Sequence, residues 1–157
     1  MTSSATAEWE TPTDLFHQLH SEFNFRIDCA ATPGNNKLDA FYSLDPSGLG
    51  DGLKSSWNFH GRAAWCNPPY GRAIAKWMQK GWEESQTGCA VVMLVPARVG
   101  TKWWKKWVTQ KAKEVRFIEG GVKFTNDQGV CESAPFDSAI VIYRPQLGSY
   151  KWWSVVP

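Results

Sequence analysis

Cys89-Ala90-Val91-Val92-Met93-Leu94-Val95 is apolar without a break. A run of this length reads as a strand, and a strand with no polar side has to be covered on both faces. A chain that contains one needs helices above and below a sheet. That points to the layered α/β classes, in which strands alternate with helices. At 157 residues the chain is one domain by size. It can bury a core without disulfides or metals.

A second stretch says where chemistry would sit. Ala63-Ala64-Trp65-Cys66 is a short apolar strand, followed by Asn67-Pro68-Pro69-Tyr70, then Gly71 and a helix-like segment. In open α/β sheets, ligands bind in the crevice at the carboxyl ends of the strands. Each proline fixes its own φ and lacks an N–H, and each biases the residue before it toward extended geometry. Asn67 and Pro68 can then aim two carbonyl oxygens, one from a side chain and one from the backbone, at a single point. Two converging acceptors bind both protons of an –NH2 group and draw its lone pair out of conjugation. Tyr70 offers a flat face for a heterocycle. A proline-rich turn with a surface tyrosine is the plain alternative, and the strand-turn-helix context favours the functional reading.

Taken in order, residues 1–8 are small and polar and are expected to be disordered, leaving 9–157 as the single domain. Thr11 suits a helix N-cap, with Pro12 at the first helical position and Asp14 in the first turn. Leu15, Phe16, Leu19 and Phe23 share one helix face. Residues 25–29 alternate as a strand that reaches Asp28. The Ala30-Ala31-Thr32-Pro33-Gly34 turn follows. An acid there either meets a polar small molecule or simply caps the strand. Residues 41–44 are a possible strand ending at Asp45-Pro46, and 47–52 must turn. The span from Asp28 to Asn67 is too short for full alternation, so at least one crossover helix is reduced or missing.

Ile74, Trp77, Met78 and Trp82 predict a helix to about Glu84, with the aromatic stripe as core. Pro96-Ala97-Arg98 ends the long apolar strand. Thr101 can cap a helix carrying Trp103, Trp104, Trp107 and Val108 on one face and lysines, among them Lys102, elsewhere. That pattern suits either nucleic acid or a solvated basic face. Residues 115–118, 122–124, 138–143 and 151–156 read as further strands, with a hairpin turn at Gly120-Gly121 before Lys123 and a polar loop over 126–135. The result is a mostly parallel sheet with an antiparallel end.

Composition narrows the partners only a little. Ten tryptophans are far above average, and some of them are expected to serve contacts. A net charge of +2 neither demands nor forbids nucleic acid. Cys29, Cys66, Cys89 and Cys131 are scattered without a Cys-x-x-Cys pair, as free thiols of a reducing cytosol would be. His17, His20 and His60 show no zinc spacing with them, and a solvated helix face explains His17 and His20. The first residues lack the features of a signal peptide, and no apolar run approaches membrane-spanning length.

Taken together, Trp9-x-Thr11-Pro12, Asp28-Cys29-Ala30-Ala31, Asp51-Gly52-Leu53, Trp65-Cys66-Asn67-Pro68-Pro69-Tyr70 and Ala134-Pro135-Phe136-x-Ser138 resemble the phage-type, Dam-like DNA N6-adenine methyltransferases. The resemblance runs from about Trp9 to Pro145. It implies a compact Rossmann-like, S-adenosylmethionine-dependent methyltransferase fold without a separate target-recognition domain. It implies that Asn67 and Pro68 accept hydrogen bonds from the adenine amino group, that Pro69 holds the turn, and that Tyr70 stacks on a base taken out of the duplex. On the donor side it implies Asp28 near the methionine end, Ala30 and Ala31 lining the pocket, Asp45 at the ribose, Asp51 at the adenine, and Thr11 and Pro12 closing the site. The DNA-facing candidates are Arg98, Lys102 and Lys123.

The usual Gly-x-Gly turn of this fold is replaced here by Ala-Ala-Thr-Pro-Gly. Target specificity would fall to the loops 43–56 and 126–135 or to a second subunit, in a monomeric or homodimeric cytoplasmic protein. The quartet alone also permits RNA adenine, cytosine N4 or protein glutamine as substrate. A different class is a nucleic-acid-binding protein on an inactive methyltransferase fold, working through the helix that begins at Thr101.

Overall fold

The long apolar run becomes the strand that the sheet is built around. In chain order the elements are α1 (Thr13–Phe23), β1 (Ile27–Asp28), β2 (Ala64–Cys66), α2 (Ile74–Ser85), β3 (Val91–Pro96), a π-helical segment (Trp104–Thr109), β4 (Glu114–Phe117), β5 (Lys123–Thr125), β6 (Cys131–Ser133) and β7 (Ser138–Tyr143). The computed structural model describes residues 9–125 and 131–146, without the side chains of 131 and 132. Expectations for 1–8, for the strand at 151–156 and for the Cys131 thiol fall outside it.

β3 is buried at every position. It pairs in parallel with β2, and β2 with β1. On its other side β3 pairs with β7, antiparallel, and β7 pairs antiparallel with β4. The five-stranded order is thus β1-β2-β3-β7-β4, with four strands running one way. The antiparallel strand lies one place in from the edge. After β4 the chain returns through the β5–β6 hairpin rather than a crossover helix, so β7 comes back in the opposite direction and fills the gap beside β3.

Helices cover both faces. Phe16 of α1 meets Trp65 edge-on at 5.5 Å and stacks on Phe25. Met93 pairs with Cys66, one residue beyond Trp65, so it faces the opposite way. It lies against Gly81 of α2.

Several local expectations change. The strand at 25–29 shrinks to the two residues of β1, and the one at 41–44 to single bridges, Asp28 with Phe41 and Ser43 with Gly50. β1 has a strand, β2, on one side only, and the 41–44 segment reaches its other side at the single Asp28–Phe41 bridge. Residues 131–133, expected within a loop, instead pair with β5. His20 is not on a solvated face: its Nδ1 accepts from Phe25 N–H at 3.1 Å, and its ring stacks on Phe16. Thr11 does not cap α1. The N-cap is Pro12, with no side-chain bond.

Between β1 and β2 there is no α-helix, only a 3-10 turn at Gly52–Lys54. Asp51 caps that turn by accepting from Leu53 N–H at 2.9 Å. The turn lies tight against β1: a Cβ on Gly52 would stand 2.2 Å from the Cys29 carbonyl oxygen and 3.3 Å from the Trp77 ring. Backbone and a buried indole cannot both yield. Gly52→Ala is therefore expected to lower stability by at least about 2 kcal/mol, as measured by urea unfolding.

Candidate active site

β2 carries the chain to the carboxyl edge of the sheet, and Asn67 is the first residue beyond it. Gly71, at φ 146°, turns the chain into α2, a conformation that side-chain-bearing residues rarely adopt. β1 and β3 run parallel to β2, so Asp28 and the 97–98 segment emerge at the same edge.

The Asn67 side chain is held from three directions. Its Nδ2 donates to the Trp9 carbonyl and, at 3.0 Å, to Thr11 Oγ1. A backbone carbonyl can only accept, so the amide nitrogen must face Trp9 and Oδ1 must face away. Oδ1 lies 2.8 Å from the Tyr70 hydroxyl, which also reaches the Leu94 carbonyl at 3.0 Å. Burial pushes the Tyr70 phenol well above its usual range, so it stays protonated and shares one proton between two carbonyl oxygens. The Tyr70 ring is 8% exposed and stands edge-on to Phe124 and Phe136 at 6.4 and 5.6 Å.

Beside Asn67 opens a cavity of about 810 Å³. Asp28 lies in its wall and is 2% exposed. Asp28 Oδ2 accepts from Lys37 N–H at 2.9 Å and Oδ1 from Ala30 N–H at 3.4 Å. Burial pushes its carboxyl up to about 6, against the pull of those two N–H groups. The Lys37 ammonium pairs with Glu10 at 3.1 Å, and its charge adds a smaller downward pull on the Asp28 carboxyl. Asp45 and Asp51 lie farther round the wall. Bonds from Ser47 N–H and Oγ hold the exposed Asp45 carboxyl below its ordinary range.

The expected residues divide clearly. Thr11, Asp28, Ala30, Ala31, Asp45, Asp51, Asn67, Pro68 and Pro69 all line this one cavity, whereas Pro12 and Tyr70 do not. Arg98, Lys102 and Lys123 are exposed, and the Arg98 guanidinium lies 5.7 Å from the Phe136 ring centre. Trp77, expected purely as core, forms part of the wall together with Trp65, Trp9 and Lys37. Helical spacing signalled Trp77 only as buried, and nothing in spacing distinguishes a core indole from a cavity-lining one. In the π-helical segment Trp104 and Trp107 are buried, and Lys106 and Lys111 lie over Trp107 and Trp82 at 5.1 and 4.2 Å. Those rings pack inward and are no open stacking platform.

A wall with aspartates at several points and apolar indoles between them fits a ligand that carries positive charge and a flat ring. S-adenosylmethionine has both. Among the described residues no group of three or more His, Cys, Asp or Glu could hold a metal ion, and no helix is long and apolar enough to cross a membrane.

A family model described as DNA N-6-adenine-methyltransferase (Dam) matches residues 1–156. The DNA N-6-adenine-methyltransferase of Haemophilus phage HP1 (strain HP1c1) is 29% identical over 123 residues, covering 76% of this chain and 67% of the phage protein. A solved structure of a chain assigned as a methyltransferase, complexed with SAH, matches at a TM-score of 0.39 and 14% identity. That match covers 68% of this chain but only 27% of the other, longer one.

The raised Asp28 value has a stability consequence. The folded value, about 6, lies above the ordinary 3.8. The stability contributed by the neutral carboxyl is therefore full below about pH 4 and is lost as pH rises through about 6. Asp28→Asn removes this titration. Between pH 4 and pH 7 the variant is expected to gain about 2 kcal/mol on the wild type in urea unfolding. A difference that does not change with pH would show that burial does not govern this carboxyl.

Proposed function

Since the chain belongs to the DNA N-6-adenine-methyltransferase (Dam) family, we propose how its residues divide the work of methylating the N6 amino group of adenine in DNA. The chain is an S-adenosylmethionine-dependent, adenine-specific DNA methyltransferase. When bound, S-adenosylmethionine supplies a methyl group already activated by a sulfonium, so no strong base is required of the protein.

Asn67 Oδ1 and the Pro68 carbonyl accept hydrogen bonds from the N6 amino group, orient it and draw its lone pair out of the ring. The observation that carries this reading is the fixed amide of Asn67, whose nitrogen is taken up by Trp9 and Thr11 and whose oxygen is thereby the end on offer. An acceptor held in place before reaction costs no reorganisation when charge develops on the amino group. Pro69 stiffens the turn. Tyr70 supports Asn67 through its hydroxyl. For its ring to stack on an extruded adenine, Phe124 and Phe136 must move aside, since both now stand against it.

On the donor side Asp28 takes the ammonium end; among the described residues its carboxylate makes no ion pair and is held by the N–H groups of Lys37 and Ala30. Ala30 and Ala31 let the ligand approach the backbone, and Asp45 and Asp51 meet the nucleoside, while Pro12 stands off the cavity. Arg98 and Lys102 follow β3 at the same sheet edge and face the DNA phosphates, as does Lys123. The reaction takes place in the cytoplasm of a bacterial host, a reading supported by the phage relative and by the free thiols of Cys29, Cys66 and Cys89.

Incubation with S-adenosylmethionine and unmethylated duplex DNA, followed by digestion to nucleosides and mass analysis, is expected to yield N6-methyladenine. Asn67→Ala should lower turnover by about 10²- to 10³-fold while donor affinity, measured by calorimetry, changes little. Donor affinity falling in step with turnover would instead place Asn67 on the donor side of the site.

A further inference from the structure

We infer that Thr11 is a positioning residue for the target amino group, acting through Asn67. Its hydroxyl oxygen holds one amide proton of Asn67, so that the Asn67 oxygen, and not its NH2, is presented to the substrate. This rests on the reading that Asn67 Oδ1 is the acceptor for the adenine amino group.

Four observations converge on Thr11. It stands one residue before Pro12, the N-cap of α1, and its hydroxyl makes no cap bond to that helix. Its hydroxyl instead lies 3.0 Å from Asn67 Nδ2. The residue is 3% exposed, which keeps its hydroxyl largely away from bulk water. The segment that carries it is itself fixed: Glu10 N–H donates to the Thr125 carbonyl at 3.2 Å, and the Glu10 carboxylate pairs with Lys37 at 3.1 Å.

The chemistry explains why this matters. A primary amide presents an acceptor at one end and two donors at the other, and the two ends are nearly the same size. Only the acceptor end can bind an amino group. An amide held through one proton alone can swing about that bond. Held through both, by Trp9 and Thr11, it cannot turn its oxygen away without giving up both bonds and setting that oxygen against the Trp9 carbonyl, which can only accept. Trp9 contributes a backbone carbonyl that any residue at that position would supply. Thr11 contributes a side-chain oxygen, so at the NH2 end it is the part of the clamp that the sequence specifies, while the Tyr70 hydroxyl holds the oxygen end.

The test compares Thr11→Val, which keeps the shape and removes the oxygen, with Thr11→Ser, which keeps the oxygen. Turnover on duplex DNA, SAH affinity by calorimetry and the Asn67 side-chain amide signals in ¹⁵N-labelled protein are measured for each. The Asn67 signals are identified by their disappearance in Asn67→Ala. In the wild type the Asn67 amide protons should exchange with solvent far more slowly than those of an exposed asparagine. Thr11→Val should lower turnover about a hundredfold, leave SAH affinity within about threefold, and shift and deprotect the Asn67 amide signals; Thr11→Ser should restore all of these.

Unchanged turnover in Thr11→Val, with Asn67→Ala inactive, overturns the inference and leaves the acceptor reading intact. Full activity in Asn67→Ala overturns the acceptor reading itself. A loss of SAH affinity equal to the loss of turnover assigns Thr11 to donor binding. If Thr11→Val does not fold, fast exchange of the Asn67 amide in the wild type is enough to reject the clamp.

Discussion

The amide of Asn67 is bonded to the Trp9 carbonyl and the Thr11 hydroxyl, 58 and 56 residues away in the chain. The site depends on that junction. A polar side chain buried at a sheet edge is stable only when its hydrogen bonds are made, and here making them fixes which end of the amide faces the cavity. Tyr70 completes the arrangement from the opposite side by bonding both Asn67 and the Leu94 carbonyl of β3. The N-terminal segment, the turn after β2 and the central strand are thus joined through one side chain. The N-terminal segment and the turn after β2 also line the cavity.

The shortened connection between β1 and β2 shapes the rest. A full α/β unit would place a helix there, yet the chain makes only a 3-10 turn, and residues 30–53 supply most of the cavity wall. Asp28 is the hinge of that wall, because its carboxylate gathers the backbone of Ala30 and Lys37. The two readings open for Asp28 on sequence grounds are therefore compatible: the same carboxylate that caps the loop remains available to a positively charged ligand. Its burial raises the cost of its charge, and a cationic partner offsets that cost.

Much of the fold was legible in the sequence because its signals are local. The apolar run at 89–95 became the fully buried β3. The spacing of Ile74, Trp77, Met78 and Trp82 became α2, and the short span before Asn67 foretold the missing crossover helix. The residues expected to gather into a site largely do so, since strand ends of a parallel sheet share one edge. Less legible were features that depend on a distant partner. Residues 131–133 look like polar loop until β5 lies beside them, and His20 looks solvated until Phe25 N–H and the Phe16 ring meet it.

By itself the sequence determined the layered α/β plan and the stiff Asn-Pro-Pro-Tyr turn at a strand's carboxyl end. These follow from backbone restriction and side-chain periodicity, which act over a few residues. Only the tertiary structure decided that Thr11 accepts from Asn67 rather than capping α1, and that Tyr70 turns its hydroxyl inward to β3. It alone made Trp77 part of a cavity wall. A hydroxyl or an indole has several possible partners of similar strength, and the choice among them is made by whichever segment the fold brings within 3 Å.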